Sequence, residues 1–305
     1  MHIQWPSFDQ MTYRVMRLRR LLAVAMMIPL IGLLSVSWAY PDVLSAAHAS
    51  IAACGLALLL VAHVVIFPNV TLETLALAFA ATGLVVIMPL IKALAVWAPV
   101  EQQSGALLLL VAFAVALCGV VMILCQILLG GIIYAGPTVK RVMVASQTVE
   151  CSAKFALQQL SLAPNSRRGR LLAGEVDDNG FFDVAVATMG HDGTPECIRV
   201  DAKVLESNSD QHDVMLISRS GAVTVTSLRV TPVAGGASVE VRDMPGDFTL
   251  GMYLLFWLTD QQADTLTEMT DLMAGREGRA NGLSHHISLT SVAGALLSPR
   301  APMID

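Results

Sequence analysis

Four stretches of this chain run long enough without acidic or basic side chains to cross a bilayer: 21–40, 46–67, 75–97 and 105–134, with Lys92 the one exception. A hydrocarbon core takes roughly 20 apolar residues per helix, so each stretch is predicted to span. Lipid admits only helices or closed barrels, because unpaired backbone groups find no water there. The first 137 residues are therefore expected to form a four-helix membrane domain over 21–137. The links "PDVLS", "PNVTLE" and "PVEQQS" are short and polar, so neighbouring helices should run antiparallel.

Charge is distributed to match. Residues 1–137 hold 5 basic and 4 acidic side chains, and the remainder holds 14 and 20. Arg14, Arg17, Arg19 and Arg20 precede the first span, Lys140 and Arg141 follow the fourth, and the loops between spans carry no Lys or Arg. The positive-inside rule then places both ends in the cytoplasm. The expectation is a multi-pass protein of a bacterial inner membrane. The first apolar run exceeds the h-region of a cleaved signal peptide and reads as a retained anchor.

Within 1–20, Phe8, Met11, Val15 and Leu18 recur at helical spacing among arginines. This predicts an amphipathic helix in the headgroup layer, with Arg14 and Arg17 touching lipid; a floppy basic tail is the alternative. Lys92 lies near one end of its span, where its stem can snorkel to water. Gln126 is expected to bond a neighbouring helix. His48 and His63 stand about 22 Å apart on one helix at 1.5 Å per residue, too far to share one iron. Gly130-Gly131 and Gly136-Pro137 mark a hinge out of the fourth span.

Beyond the hinge the period changes. Strands are predicted at 142–153, 170–176, 181–188, 197–206, 213–219, 222–233 and 237–244, with a short helix at 154–164. In "CIRVDAKVLE", Ile198, Val200, Ala202 and Val204 alternate with Arg199, Asp201 and Lys203, as a half-buried strand requires. The connections "DDNG", "RSG" and "AGG" are turn chemistry, so the strands should form an antiparallel meander. A long amphipathic helix follows over 249–275, opening with "YLLFWL". Its nine apolar residues from 250 to 258 are too few for a span, so it should lie across the sheet, and its acidic row Asp260, Asp264, Glu268 and Asp271 should face solvent.

This order, carried by "VTSLRVTPVAGGASVEVRDMPGDFTLGMYLLFWLTDQQADTLTEMTDLMAGRE" (225–277), resembles the SRPBCC superfamily, the helix-grip fold of START lipid-transfer domains and plant pathogenesis-related proteins. The likeness covers 142–278 and leaves the spans and the tail, 279–305, unplaced. It implies a cytosolic α+β domain whose antiparallel sheet grips a long C-terminal helix around an apolar cavity for a lipid-like ligand. Met252, Leu255, Phe256 and Leu266 would line the helix side, and Ile198, Val200 and Val204 the sheet side; plain core is the competing reading for each.

No sequence motif for catalysis occurs: GxSxG, a phosphate loop and HExxH are all missing. No metal spacing, cofactor motif or basic stripe for nucleic acid is present either, and the five cysteines read as free thiols. Arg167, Arg168 and Arg170 form a loop cluster expected to touch anionic lipid, or else a plain solvated patch. Three functions follow as expectations: a membrane-tethered domain that presents, transfers or senses a hydrophobic molecule; a scaffold or regulatory subunit with a filled core, acting with a membrane protein partner or a second copy; or a small transporter using Lys92 and Gln126.

Overall fold

The computed structural model describes residues 5–96, 103–168, 171–189, 195–276 and 279. Its described residues divide into two units, one of 5–7 with Arg14–Ile132 and the other of Phe8–Tyr13 with 133–279. A short helix, α1 (Phe8–Arg17), is shared between them.

The first unit contains α2 (Arg19–Ala39), α3 (Ala46–Ile66), α4 (Thr71–Val96) and most of α5 (Gln103–Tyr134). Among the described residues these are four helices long and apolar enough to cross a membrane. Leu22, Ala25, Pro29, Gly32, Leu33 and Val36 form the buried stripe of α2. Gly32 lets α4 approach closely, since a Cβ there would stand 2.8 Å from the Thr82 methyl. Ser45 caps α3 by accepting from the His48 N–H at 3.4 Å. The α3–α4 turn is pinned by a buried network: His63 Nε2 to Glu73 Oε1 at 3.0 Å, and His63 Nδ1 to the Thr74 hydroxyl at 3.2 Å. Glu73 thus lies inside a span that was expected to begin at residue 75. The Lys92 ammonium reaches the Asp42 carbonyl at 2.6 Å, at the end of its helix.

The second unit holds β1 (Met143–Val149), α6 (Ala153–Leu160), β2 (Arg167–Arg168), β3 (Leu171–Val176), β4 (Phe182–Met189), β5 (Pro195–Ser207), β6 (Gln211–Ser218), β7 (Val223–Val233), β8 (Gly236–Pro245), α7 (Leu250–Thr259) and α8 (Gln261–Met273). The strands form one antiparallel sheet in the order β1-β8-β7-β6-β5-β4-β3-β2. Each neighbour from β2 to β8 follows by a hairpin, as short turns dictate, and only β1 joins out of sequence, on β8. Val233 pairs with Gly236, leaving Gly235 at φ 82° to close the β7–β8 turn.

Two apolar clusters cover the sheet. Ala145, Val149, Ala237, Val239, Leu228 and Val230 pack beneath α6 and α8 through Ala156, Leu160 and Leu266. Ala173, Phe182, Val184, Ala202 and Val214 form the other cluster, on β3–β6. Truncating a fully buried leucine such as Leu266 to alanine costs about 2–5 kcal/mol.

The layout expected from sequence differs in two respects. The helix over 249–275 is broken at Asp260, which adopts φ 49°, ψ 37° and ends α7 with its N–H on the Phe256 carbonyl. A short acidic side chain tolerates this left-handed conformation. The break separates two jobs, because α8 packs against the sheet while α7 is held by residues 133–141, as described below. The acidic row is also not uniformly solvated. Asp264 is fully buried and accepts from the Tyr13 hydroxyl at 3.0 Å, and buried Asp271 receives two donors of the Arg279 guanidinium, one at 3.0 Å.

Candidate functional site

Where α8 passes over β6, β7 and β8, the side chains leave a cavity of about 210 Å³. Its walls are Leu160 and Leu162 beside α6, Leu171 on β3, Val214 and Leu216 on β6, Leu228 on β7, Val241 on β8, Phe256 on α7, and Leu266 and Met269 on α8. An apolar cavity of about 150 Å³ stays dry and accepts a benzene ring. The space here is larger than that, yet below the roughly 300 Å³ at which drug-sized pockets begin.

Polar groups reach this wall from both layers: Asp243, Gln262, His212, Thr226 and Thr265. The Gln262 amide donates to Asp243 Oδ2 at 2.7 Å. Asp243 Oδ1 and Gln262 Oε1 are buried without a hydrogen-bond partner. Burial raises the Asp243 carboxyl above the ordinary carboxylate range, and the nearby Thr226 hydroxyl offsets part of that rise without closing a bond on Oδ1. An unpaired buried acceptor costs about 1–3 kcal/mol, so these two oxygens are a standing demand for a donor.

His212 is the contrasting case. Its Nε2 lies 2.9 Å from the Leu162 carbonyl and its Nδ1 3.1 Å from the Ser207 hydroxyl. With the proton on Nε2, both ring nitrogens are satisfied, and the ring joins β5, β6 and the segment after α6. It lies one residue ahead of the strand expected at 213–219 and is buried near the start of β6.

Two of the residues considered as pocket lining, Phe256 and Leu266, border this cavity. Val200 and Val204 pack against the second apolar cluster. Met252 and Leu255 are half-buried on α7, and Ile198, on the same strand face as Val200, is half-exposed toward the strand's end. Arg167 is exposed on β2, the backbone of Arg168 pairs there with Leu171, and Arg170 lies outside the described residues. Arg17 is buried and reaches the Asn69 side chain at 3.4 Å, while Arg14 donates to the Val65 carbonyl.

Asp243 and Gln262 were not anticipated, although the signal was present. Val239, Val241 and Asp243 alternate onto one face of β8, and Gln262, Leu266 and Met269 share one face of α8. A second recess of about 350 Å³ between β1 and the end of α8 is more polar. Its charged groups pair with one another, Asp271 with Arg279 and Glu150 with Arg276, so it presents no comparable demand. Among the described residues, no three His, Cys, Asp or Glu side chains are grouped to hold a metal.

No family model matches the chain, and no curated protein matches it. Solved structures do. A protein from Chromobacterium violaceum is 12% identical over 43% of this chain and 96% of its own, with a TM-score of 0.33. The di-domain ARO/CYC StfQ from the steffimycin biosynthetic pathway is 12% identical over 54% of this chain and 59% of its own, at 0.35. Ara h 8.0201 is 12% identical over 45% of this chain and 97% of its own, at 0.33.

Proposed function

We propose that the sheet unit is a cytosolic binding domain, tethered to the bacterial inner membrane by four spans, that takes up an apolar molecule carrying one hydrogen-bond-donor group. The observation that carries this reading is the 210 Å³ cavity with two unpartnered oxygens, Asp243 Oδ1 and Gln262 Oε1, in an otherwise apolar wall. An alcohol, phenol or amine hydrogen would satisfy either oxygen, while the apolar body would fill the space beside Leu228, Val241 and Leu266. Because the host is a membrane protein, the bilayer is the natural source of such a molecule. The domain would then present, transfer or sense it, and none of these roles needs a covalent step.

The test compares the full-length protein in nanodiscs with Leu228→Trp, which fills the cavity. Native mass spectrometry of the wild type should show a bound apolar molecule after lipid exchange, and the variant should lack it. If neither carries a ligand and Leu228→Trp raises the melting temperature, the space is an ordinary packing void, and the scaffold reading takes over.

A further inference from the structure

We infer that α7 is a lipid-docking helix, seated in the headgroup layer of the bilayer with Leu250, Leu254 and Trp257 toward the acyl chains. The helix "LGMYLLFWLT" contains no charged residue. Its covered side is accounted for: Leu258 and Thr259 are buried, Phe256 lines the cavity, and Phe248 packs edge-on against Tyr253 and Phe256. Leu250, Leu254 and Trp257 follow at i, i+4 and i+7, so they form one stripe, and they are 59%, 53% and 54% exposed. Three large apolar side chains aligned on an otherwise uncharged helix mark an interaction surface rather than scattered exposure.

The occupant is identified by where the helix begins. Thr249, its cap, donates its hydroxyl to the Ile133 carbonyl and forms a β-bridge with Thr138. Val139 N–H donates to the Phe248 carbonyl at 2.8 Å, and the Tyr253 hydroxyl donates to the Arg141 carbonyl at 2.8 Å. Gly251 rests on the same residue as Thr249, since a Cβ there would stand 2.6 Å from the Ile133 Cα. Ile133 and Tyr134 end the most apolar candidate span among the described residues. These bonds therefore hold α7 within a few residues of the point where the chain leaves lipid. Trp and Tyr favour that depth, with an apolar ring and a polar handle. Lys140 and Arg141 at the same level suit anionic headgroups. A second protein copy or a soluble partner would require none of this attachment to the last turn of a span.

Docking is independent of whether the cavity is occupied. It would nevertheless put lipid against the outer side of the helix whose inner side, at Phe256, lines the cavity. The test keeps Trp257 as the sole tryptophan by replacing Trp5, Trp38 and Trp97 with Phe in the full-length protein, reconstituted in vesicles containing anionic lipid. Acyl-chain-brominated lipids should quench Trp257 emission by about half or more, while aqueous iodide reaches it poorly. Adding Leu254→Glu should reverse both results, with the far- and near-ultraviolet circular dichroism unchanged. Free access of iodide with no quenching by brominated lipid overturns the inference. So does shielding from both quenchers, which would mean that protein covers the stripe.

Discussion

Two carboxylates in this molecule, the buried Glu73 and the half-buried Asp243, have opposite surroundings. Glu73 meets His63 at 3.0 Å, and His63 is held on its other nitrogen by the Thr74 hydroxyl, itself 3.3 Å from the Val70 carbonyl. Asp243 meets Gln262 at 2.7 Å, but one oxygen of each residue has no partner. The first network consumes its own hydrogen-bonding capacity and ties two helices at a turn. The second leaves capacity unused beside an apolar space. Closed networks hold a fold, whereas open ones cost free energy until something fills them. That difference, more than burial itself, separates a structural pair from the pair proposed here for recognition.

The largest effect expected from this contrast is at the closed pair. Glu73→Ala strands a buried imidazole and should destabilise the membrane unit by about 3–5 kcal/mol in denaturant unfolding from micelles. A loss under about 1 kcal/mol would erase the distinction, because the network would then be as loose as the open one. At the open pair the effect should move from stability to selectivity. Gln262→Met removes one unpaired oxygen and should shift the preference between a small alcohol and its alkane analogue toward the alkane by about tenfold. Titration of both probes into full-length protein reads this ratio, and an unchanged ratio would mean that the oxygen does not face the ligand.

The smallest effect is a pH slope. The folded state raises the Asp243 carboxyl, so it binds the proton more tightly than the unfolded chain does. Stability from this group is therefore complete below about pH 4 and declines as pH rises toward the raised folded value. Asp243→Asn should flatten that decline in a series of melting temperatures and leave other slopes in place. A steeper decline in the variant would reverse the assigned sign.

Much of the sheet was legible because its signals are local. Alternation at Val200, Ala202 and Val204 and the Gly235 turn are set by neighbours two to four residues away, and the observed strands fall within a few residues of the expected ones. The four long helices were legible for a similar reason, since an apolar run of span length admits few other conformations. The broken helix was not. The pattern over 249–275 is continuous in sequence, and nothing in it shows that α7 is bonded back to residues 133–141 while α8 packs on the sheet. Asp264 and Asp271 looked solvated because their partners, Tyr13 and Arg279, carry no mark of pairing. Of the seven side chains considered as pocket lining, the five other than Phe256 and Leu266 lie away from the cavity for a related reason. Periodicity assigns a face, as at Ile198, but the extent of cover over that face depends on where the helices end.

The sequence by itself determined the division into an apolar four-helix part and a polar antiparallel sheet part, together with nearly every element of each. Charge content and residue period act over single turns and strands. Only the tertiary structure decided that a space remains beneath α8, that Asp243 and Gln262 meet in it with oxygens to spare, and that α7 starts at the end of a span. Each of these depends on groups brought together from distant parts of the chain, and short-range patterning does not constrain such encounters.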